Sequence, residues 1–215
     1  KEKKPGIVIV STRQPHRRKG YMDWEDWSLH TMVTRWVKIH YDREVTAEML
    51  RERKPDAVIL ATGAYPVTPE IPGLDTPWVV DARDLLVGKV PPAGPAVVLG
   101  AGYVGMETAD FLIAQGIGVT LLEMLPTSPV GKHTAHGWWL HKRMREAGGG
   151  IVLGATVTRI EEDGVVYRQG DEEKKIPASL VVTAMGARPD TSLEGTLKEL
   201  GIPYRTVGDA QSPRR

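Results

Sequence analysis

The stretch AVVLGAGYVGMETADFL, residues 96–112, decides the fold class of this chain. It begins with four apolar residues, continues with three glycines spaced G-x-G-x-x-G, and ends in a run with the apolar spacing of a helix. Gly116 is placed to end that helix, and a second apolar run, GVTLLE, follows at 118–123. A strand, a glycine-rich turn, a helix and a second strand predict a βαβ unit, in which the two strands are parallel and the crossover is right-handed.

The three glycines suit a turn that holds the pyrophosphate of a dinucleotide. Gly100 permits the tight turn, Gly102 lets the backbone approach the phosphates, and Gly105 allows the helix to pack closely on the strand. The helix N-terminus adds N–H groups without an intrahelical partner and the positive end of the helix dipole. A βαβ unit whose glycines serve packing alone is the alternative. The predicted cofactor-binding residues of this turn are Gly100, Ala101, Gly102, Tyr103, Val104 and Gly105.

An acidic residue ends the second strand of the unit. Glu123 lies 18 residues after Gly105, about where a carboxylate accepts hydrogen bonds from the adenosine ribose hydroxyls. The next residues, Met124 to Pro126, offer no arginine for a 2′-phosphate, which favours NAD(H) over NADP(H). Glu123 and Met124 are therefore predicted cofactor contacts. Glu107, in the first turn of the helix, either complements the helix dipole or faces the nicotinamide and flavin region.

Composition excludes several other classes of protein. The 28 Lys and Arg residues almost balance 27 Asp and Glu residues, which argues against a nucleic acid partner. The chain has no cysteine, so this segment cannot exchange disulfides or ligate an iron–sulfur cluster. No apolar run approaches the ~20 residues of a membrane span and no signal peptide is recognisable, so we expect no membrane partner and a cytoplasmic location. The first residue is not methionine, and we expect a piece of a longer protein.

Flanking patterns predict further elements before the βαβ unit. The short apolar run at 7–10 predicts a strand, and the basic residues HRRK at 16–19 predict a solvated turn. Residues 22–39, with three tryptophans at roughly helical spacing, predict an amphipathic helix that runs into a strand. Thr46 begins a short helix that Pro55 stops before an apolar strand.

After the unit, the sequence predicts one more helix and a group of short strands. The helix covers HGWWLHKRMREA at 136–147, and three strands separated by Asp-Gly and Gly-Asp dipeptides follow at 156–162, 165–169 and 173–177. We expect these three strands to form an antiparallel meander. The last clear strand is SLVVTAMGARPD at 179–190, and Ser212-Pro213 has the form of a helix start.

Two segments of the chain are near-repeats. DAVILATGAYP at 56–66 and SLVVTAMGARP at 179–189 each contain an apolar strand, then glycine, then proline three residues on. Two similar strand ends predict two related sheets, each reaching a crevice where backbone approaches a ligand closely.

These motifs together resemble a known family. The order ATGAYP, GAGYVGMETADFL with Glu123, TAMGARPD and GDAQSPRR resembles the two-dinucleotide-domain flavoprotein reductases of the pyridine nucleotide-disulphide oxidoreductase superfamily. Within them it resembles the carboxy-terminal part of NADH:flavin oxidoreductases related to 2,4-dienoyl-CoA reductase and trimethylamine dehydrogenase. The resemblance is continuous from about Val45 to Arg215.

The resemblance implies an α/β fold with two cofactors, NAD(H) and FAD. A Rossmann-like parallel sheet with helices and an antiparallel three-stranded meander would form an NAD(P)H-binding domain at 94–187. Residues 1–93 and 188–215 would be parts of an FAD-type domain that this insertion interrupts. Dinucleotide cofactors and an FMN and iron–sulfur barrel domain of the parent protein are the partners implied. A homodimer is expected separately, because the apolar helix face formed by Trp24, Trp27 and Trp36 could be engaged in a dimer.

The resemblance also assigns residues to the crossovers between the domains and to the flavin. Asp209 would hold the ribityl chain of FAD, because a carboxylate after a glycine turn can accept hydrogen bonds from two vicinal hydroxyls. The further cofactor-binding residues implied are Ala61, Thr62, Gly63, Gly186, Arg188, Gly208 and Asp209.

The sequence departs from that family in two ways. No second G-x-G-x-x-G for the FAD pyrophosphate stands before residue 100, and the cysteine pair of the disulfide reductases is absent.

Three hypotheses follow: part of an FAD-dependent enzyme that passes hydride from NADH to flavin, a non-catalytic NAD-binding module, or a standalone NAD-dependent dehydrogenase. No side chain stands out as an acid, base or nucleophile, so no catalytic residue is assigned.

Other clusters of polar and aromatic residues favour structural roles. His133 and His136 could share a helix face, but no third ligand is placed to complete a metal site, so no metal is expected. Trp138 and Trp139 favour a core or interface position over a stacking platform.

Overall fold

The computed structural model describes residues 19–213, which contain twelve strands, six α-helices and a short 3₁₀-helix at Gly208–Ala210. The strand expected at 7–10 and the basic residues 16–18 lie outside the described residues. The strands are β1 (Val58–Leu60), β2 (Ala64–Pro66), β3 (Val79–Asp81), β4 (Ala96–Leu99), β5 (Val119–Glu123), β6 (Gly150–Leu153), β7 (Ala155–Glu161), β8 (Gly164–Gln169), β9 (Glu172–Pro177), β10 (Leu180–Thr183), β11 (Ala187–Pro189) and β12 (Tyr204–Thr206). The helices are α1 (Lys19–Thr34), α2 (Ala47–Arg53), α3 (Ala82–Leu86), α4 (Tyr103–Ile113), α5 (Ala135–Glu146) and α6 (Glu194–Glu199).

The described residues divide into two compact units. The first unit contains residues 32–67 and 187–213, and the second contains residues 19–31 and 68–186. No helix among the described residues is both long and apolar enough to cross a membrane.

A five-stranded parallel sheet, in the order β3-β10-β4-β5-β6, forms the centre of the second unit. The predicted βαβ unit is confirmed: β4 pairs in parallel with β5, and α4 connects them. All four residues of β4 are buried, and they alternate between two apolar clusters. Val98 belongs to the cluster that contains Met106 and Leu112 of α4, whereas Val97 and Leu99 belong to a cluster that includes residues of the meander. A strand buried on both faces reads as a continuous apolar run, which is why the sequence identified this element.

The antiparallel meander β7-β8-β9 is also confirmed. Val165 and Tyr167 of β8 pack into the second apolar cluster. Two short strands of the parallel sheet, β3 and β6, were not predicted. Each is an edge strand of three or four residues, too short for a distinct apolar pattern.

The first unit has two small sheets and a small core. Strands β1 and β12 are parallel, β2 and β11 are antiparallel, and Leu50, Leu60 and Leu197 form the buried cluster. The short helix predicted at Thr46 is present, and the Thr46 hydroxyl accepts a hydrogen bond from Met49 N.

The expectation for residues 22–39 is half right. The helix α1 is present, but the strand expected after it is absent from the described residues. Trp36 has a φ of 60°, a left-handed conformation that interrupts the helix, and Val37 N donates to the carbonyl of Met32. The three tryptophans of this segment are exposed rather than buried.

Candidate dinucleotide site

Two of the three glycines of the turn between β4 and α4 are required by close backbone contacts. Gly100 has a φ of 99°, and a Cβ there would lie 2.5 Å from the carbonyl oxygen of Ala184. A Cβ at Gly105 would overlap the carbonyl oxygen of Gly100. Glycine is therefore required at both positions, because a side chain there would prevent the tight turn and the close packing of α4 on the strand ends.

Gly102 differs, because no atom lies within 4 Å of the place a Cβ would take. It is the N-cap residue of α4, and no side chain caps the helix. The first helical hydrogen bond is Met106 N to Gly102 O, so the N–H groups at 103–105 have no intrahelical acceptor. The turn thus presents open space, unpaired donors and a helix dipole at one point, as an anionic phosphate requires.

Glu123 is fixed against this turn. Its side chain is 6% exposed; Ala101 N donates to its Oε2 at 2.8 Å and Leu125 N donates to its Oε1 at 2.9 Å. Each carboxylate oxygen keeps a second lone pair for a further donor. The neighbouring Met124 is largely exposed and adds no positive charge. The structure therefore brings Glu123 and the glycine turn together, as the sequence predicted.

Helix α5 packs beside α4 through two polar contacts. The Arg143 guanidinium makes a bidentate ion pair with Asp110, with Nη2 at 2.8 Å from Oδ2. His136 Nε2 lies 2.8 Å from Glu107 Oε1, and the imidazole stacks on the Tyr103 ring with centroids 5.8 Å apart. Glu107 therefore has a specific partner on α5, which neither sequence alternative anticipated because residues far apart in the chain form it.

The remaining residues of the α5 segment are arranged for packing and surface contacts. His141 Nε2 lies 2.8 Å from the carbonyl oxygen of Val130. Within residues 19–213 no group of three potential ligands could hold a metal ion. Trp138 and Trp139 are about half exposed and meet edge to face, so they do not lie in the core.

The first unit contains a second group of predicted residues, at the carboxyl ends of β1 and β12. Leu60 is paired with Thr206, and Val207 N donates to the carbonyl of Leu60. The turn Ala61–Gly63 and the pair Gly208-Asp209 follow these two parallel strands, so they lie at the same edge of the sheet. Both glycines have a positive φ, 79° and 63°.

The carboxylate of Asp209 is half-buried and has no hydrogen bond or ion pair among the described residues. Arg188 lies opposite Tyr65 in the β2–β11 pair, and Gly186, with a φ of 95°, directly precedes β11.

Sequence reasoning missed Asp190 in this unit. Its N–H donates to the carbonyl of Gly63, and its own carbonyl accepts from the Thr62 hydroxyl at 2.7 Å. Burial alone would raise the pKa of Asp190, but hydrogen bonds from Ser192 and from the Tyr65 hydroxyl outweigh it and hold that pKa below its ordinary value. The same hydrogen bond and the charge of Asp190 raise the pKa of Tyr65. Tyr65 lies within the first near-repeat and Asp190 directly follows the second, so the two near-repeats bring these residues together.

The fold and the glycine turn define a class: a Rossmann-like protein whose turn between β4 and α4 suits a dinucleotide. The chain belongs to the pyridine nucleotide-disulphide oxidoreductase family, whose model matches residues 23–210.

Comparison with individual proteins agrees with this membership. The chain is 33% identical to an NADH oxidase of Thermoanaerobacter brockii over 95% of its own length and 32% of that protein. It is 31% identical to a bilirubin reductase of Mediterraneibacter gnavus over 85% of its length and 29% of that protein. Among solved structures, a 2-naphthoyl-CoA reductase superposes with a TM-score of 0.86 at 23% identity, covering 99% of this chain and 33% of that one.

The chain spans about a third of the length of the curated relatives it matches. The relatives are oxidoreductases, and membership of this family implies the use of FAD and NAD(H).

Proposed function

We propose that this chain is the pyridine-nucleotide-binding part of an FAD-dependent NADH oxidoreductase. Residues 94–187 would form the NAD(P)H-binding domain, and residues 1–93 and 188–215 would belong to an FAD-type domain. The observation that carries the proposal is the Glu123 carboxylate, held by the Ala101 and Leu125 N–H groups beside an uncapped helix N-terminus.

The residues of the second unit fit the binding of NADH. The open space at Gly102 would accommodate a pyrophosphate, and the N–H groups at 103–105, which have no intrahelical acceptor, would donate to its oxygens. Glu123 would accept hydrogen bonds from the adenosine ribose hydroxyls, with Met124 alongside. Because the carboxylate is already oriented by two N–H donors, little conformational entropy is lost when the ribose binds.

The same arrangement favours NADH over NADPH. A 2′-phosphate would place a second negative charge beside the buried Glu123 carboxylate, and Met124 supplies no compensating cation. Like charges that approach within a few ångströms in a poorly solvated site repel strongly.

In the first unit, Asp209 would bind the ribityl hydroxyls of FAD. Its carboxylate has unused acceptors, and Gly208 and Gly63 bring two turns to the same sheet edge. Ala61, Thr62, Gly186 and Arg188 would line the crossovers next to the cofactors. When both cofactors are bound, NADH supplies a hydride and the flavin accepts it; this chain's residues bind and orient them. An FMN and iron–sulfur barrel domain and a homodimer are the partners we propose for the complete protein.

The absence of a second G-x-G-x-x-G from the sequence favours another function for this segment, a non-catalytic NAD-binding module. The visible absorbance of the purified chain separates the two. Bound flavin, with its yellow colour, supports the enzyme; a colourless chain that binds NADH supports the module.

The nucleotide assignment is tested by calorimetric titration of Glu123→Ala with NADH. We expect NADH affinity to fall at least about tenfold, because hydrogen bonds to a charged group contribute about 1.5 kcal/mol or more. Glu162→Ala removes an exposed carboxylate in the β7–β8 turn and should leave affinity unchanged. Circular dichroism must show that Glu123→Ala stays folded, and Glu123→Gln, which keeps an acceptor, should lose less. Unaltered NADH affinity in folded Glu123→Ala would refute the assignment.

A further inference from the structure

A shallow cleft lies beside α5, away from the residues assigned to the dinucleotide. It has a volume of about 200 Å³ and is lined in part by Lys132, Trp138, Lys142, Met144, Arg145 and Ile151. We name it the α5 cleft. The dinucleotide site uses the turn at 100–105 and Glu123, and none of these residues lines the α5 cleft.

Helical spacing places the polar and aromatic walls of the cleft on one face. Trp138, Lys142 and Arg145 are four and three residues apart in α5, so their side chains follow one another along one side of the helix. Ile151, on the edge strand β6, is only partly buried and provides apolar surface, whereas Met144 is almost fully buried. A planar ring could therefore contact apolar groups and an exposed indole in the same place.

The cleft carries an uncompensated positive charge. Lys132 and Arg145 are exposed and form no ion pair within the part of the chain that the structure describes. The Lys142 ammonium lies 5.2 Å and 4.7 Å from the ring centroids of Trp138 and Trp139, and its carboxylate neighbour, Glu146, is 3.7 Å away.

Several other cations of the second unit are paired with carboxylates, whereas Arg168 on β8 forms no ion pair among the described residues. Arg143 pairs with Asp110, and Lys175 contacts two carboxylates, Glu161 and Asp163. A local excess of cations beside exposed indoles is therefore a property of the α5 cleft and not of the unit as a whole. Two unpaired cations and a third held over aromatic rings suit a doubly charged anion that carries an aromatic group.

We propose that the α5 cleft binds a small aromatic phosphate, a compound with one planar ring and one phosphate monoester group. The phosphate would contact Lys132 and Arg145, and the ring would pack on Trp138 and the apolar surface at Ile151. The small volume suits one ring and excludes a polynucleotide or a drug-sized ligand, whose pockets are typically larger than about 300 Å³.

The proposal is tested by calorimetric titration of the full chain with phenyl phosphate at low ionic strength. Phenol supplies the ring without the charge, and inorganic phosphate supplies the charge without the ring. We expect phenyl phosphate to bind with one site per chain and each half-ligand to bind at least about tenfold more weakly, since both contributions are needed. Saturating NADH should leave phenyl phosphate binding unchanged.

Two variants locate the site. Arg145→Gln should weaken phenyl phosphate binding about fivefold, the effect of removing one solvent-exposed charge contact. Trp138→Leu should weaken phenyl phosphate more than inorganic phosphate. Arg168→Gln is the matched control, because Arg168 is also exposed but lies on β8, and it should bind as the unaltered chain does. Equal binding by Arg145→Gln and the unaltered chain, equal losses in the Arg168 control, or displacement by NADH would each overturn the proposal.

Discussion

The two groups of predicted cofactor residues occupy similar places in very different surroundings. In each unit a glycine-containing turn follows the carboxyl end of a parallel strand. In the second unit that strand is β4, buried on both sides by apolar clusters that include α4 and the meander. In the first unit the strand is β1, a three-residue element whose Ile59 is 73% exposed, and the buried cluster consists of three leucines.

The difference lies in what fixes each turn. The glycine turn of the second unit is held by close packing, because a side chain at Gly100 or Gly105 would collide with backbone. The turn Ala61–Gly63 has open space around Gly63 and is held instead by hydrogen bonds to Asp190. Packing therefore fixes the glycine turn of the second unit, and hydrogen bonds fix the turn Ala61–Gly63 of the first unit.

The largest expected difference between the two units is the loss of unfolding free energy when a core leucine is removed from each. Leu121→Ala deletes a fully buried side chain from β5 and is expected to cost about 3–4 kcal/mol of unfolding free energy, because the dense core cannot collapse into the cavity. Leu50→Ala, in the small cluster of the first unit, should cost about 2 kcal/mol, since a small core relaxes more easily.

Urea unfolding followed by circular dichroism measures both losses. Ile59→Ala is the control, because its exposed side chain should change stability little. A loss at Leu50 equal to or greater than that at Leu121 would mean that the second unit is not the better-packed one.

The glycine turn offers the next largest effect. Gly105→Ala should destabilise the second unit by about 2–3 kcal/mol, because its Cβ would overlap the Gly100 carbonyl. Gly102→Ala should cost under about 1 kcal/mol, since its φ of −68° suits alanine and nothing lies within 4 Å of its Cβ. Yet Gly102→Ala should weaken NADH binding, because the new methyl group occupies the space proposed for the pyrophosphate.

Thermal unfolding and NADH titration of the two variants separate packing from binding. If Gly102→Ala folds normally and binds NADH as tightly as the unaltered chain, the open space at Gly102 is not a phosphate site.

The sequence predicted the parts of this protein that long-range packing does not decide. The βαβ unit could be predicted because β4 is continuously apolar and because Gly100, Gly102 and Gly105 have the G-x-G-x-x-G spacing of a phosphate-binding turn. The meander was visible from its turn residues. The place of Glu123 followed from its distance along the chain, although its two N–H donors did not.

The elements that were missed depend on partners distant in the chain. Strands β3, β6 and β12 have three or four residues each and exist because a neighbouring strand pairs with them. The Asp190 network joins residues more than a hundred positions apart in the chain, so it could not be predicted from a local sequence pattern. The strand expected after α1 is absent, although its residues are apolar enough. Among the described residues, no neighbouring strand pairs with them.

The smallest expected effect tests the polar network itself. A carboxylate whose pKa is lowered in the folded protein contributes stability that is complete above its unfolded pKa of about 4 and is lost as the pH falls through the folded value. Because hydrogen bonds from Ser192 and Tyr65 lower the pKa of Asp190 despite its burial, Asp190→Asn should cost about 1 kcal/mol at pH 7. The difference in stability between the two proteins should shrink below about pH 4.

Thermal unfolding of both proteins from pH 7 to pH 3 measures that difference. Asp171→Asn, at an exposed turn between β8 and β9, controls for the general loss of a negative charge and should show no such pH dependence. A difference that stays constant down to pH 3 would mean that the Asp190 side chain acts through its shape and not its charge. The turn at Ala61–Gly63 would then be held by the backbone hydrogen bonds of residue 190, which the asparagine variant retains.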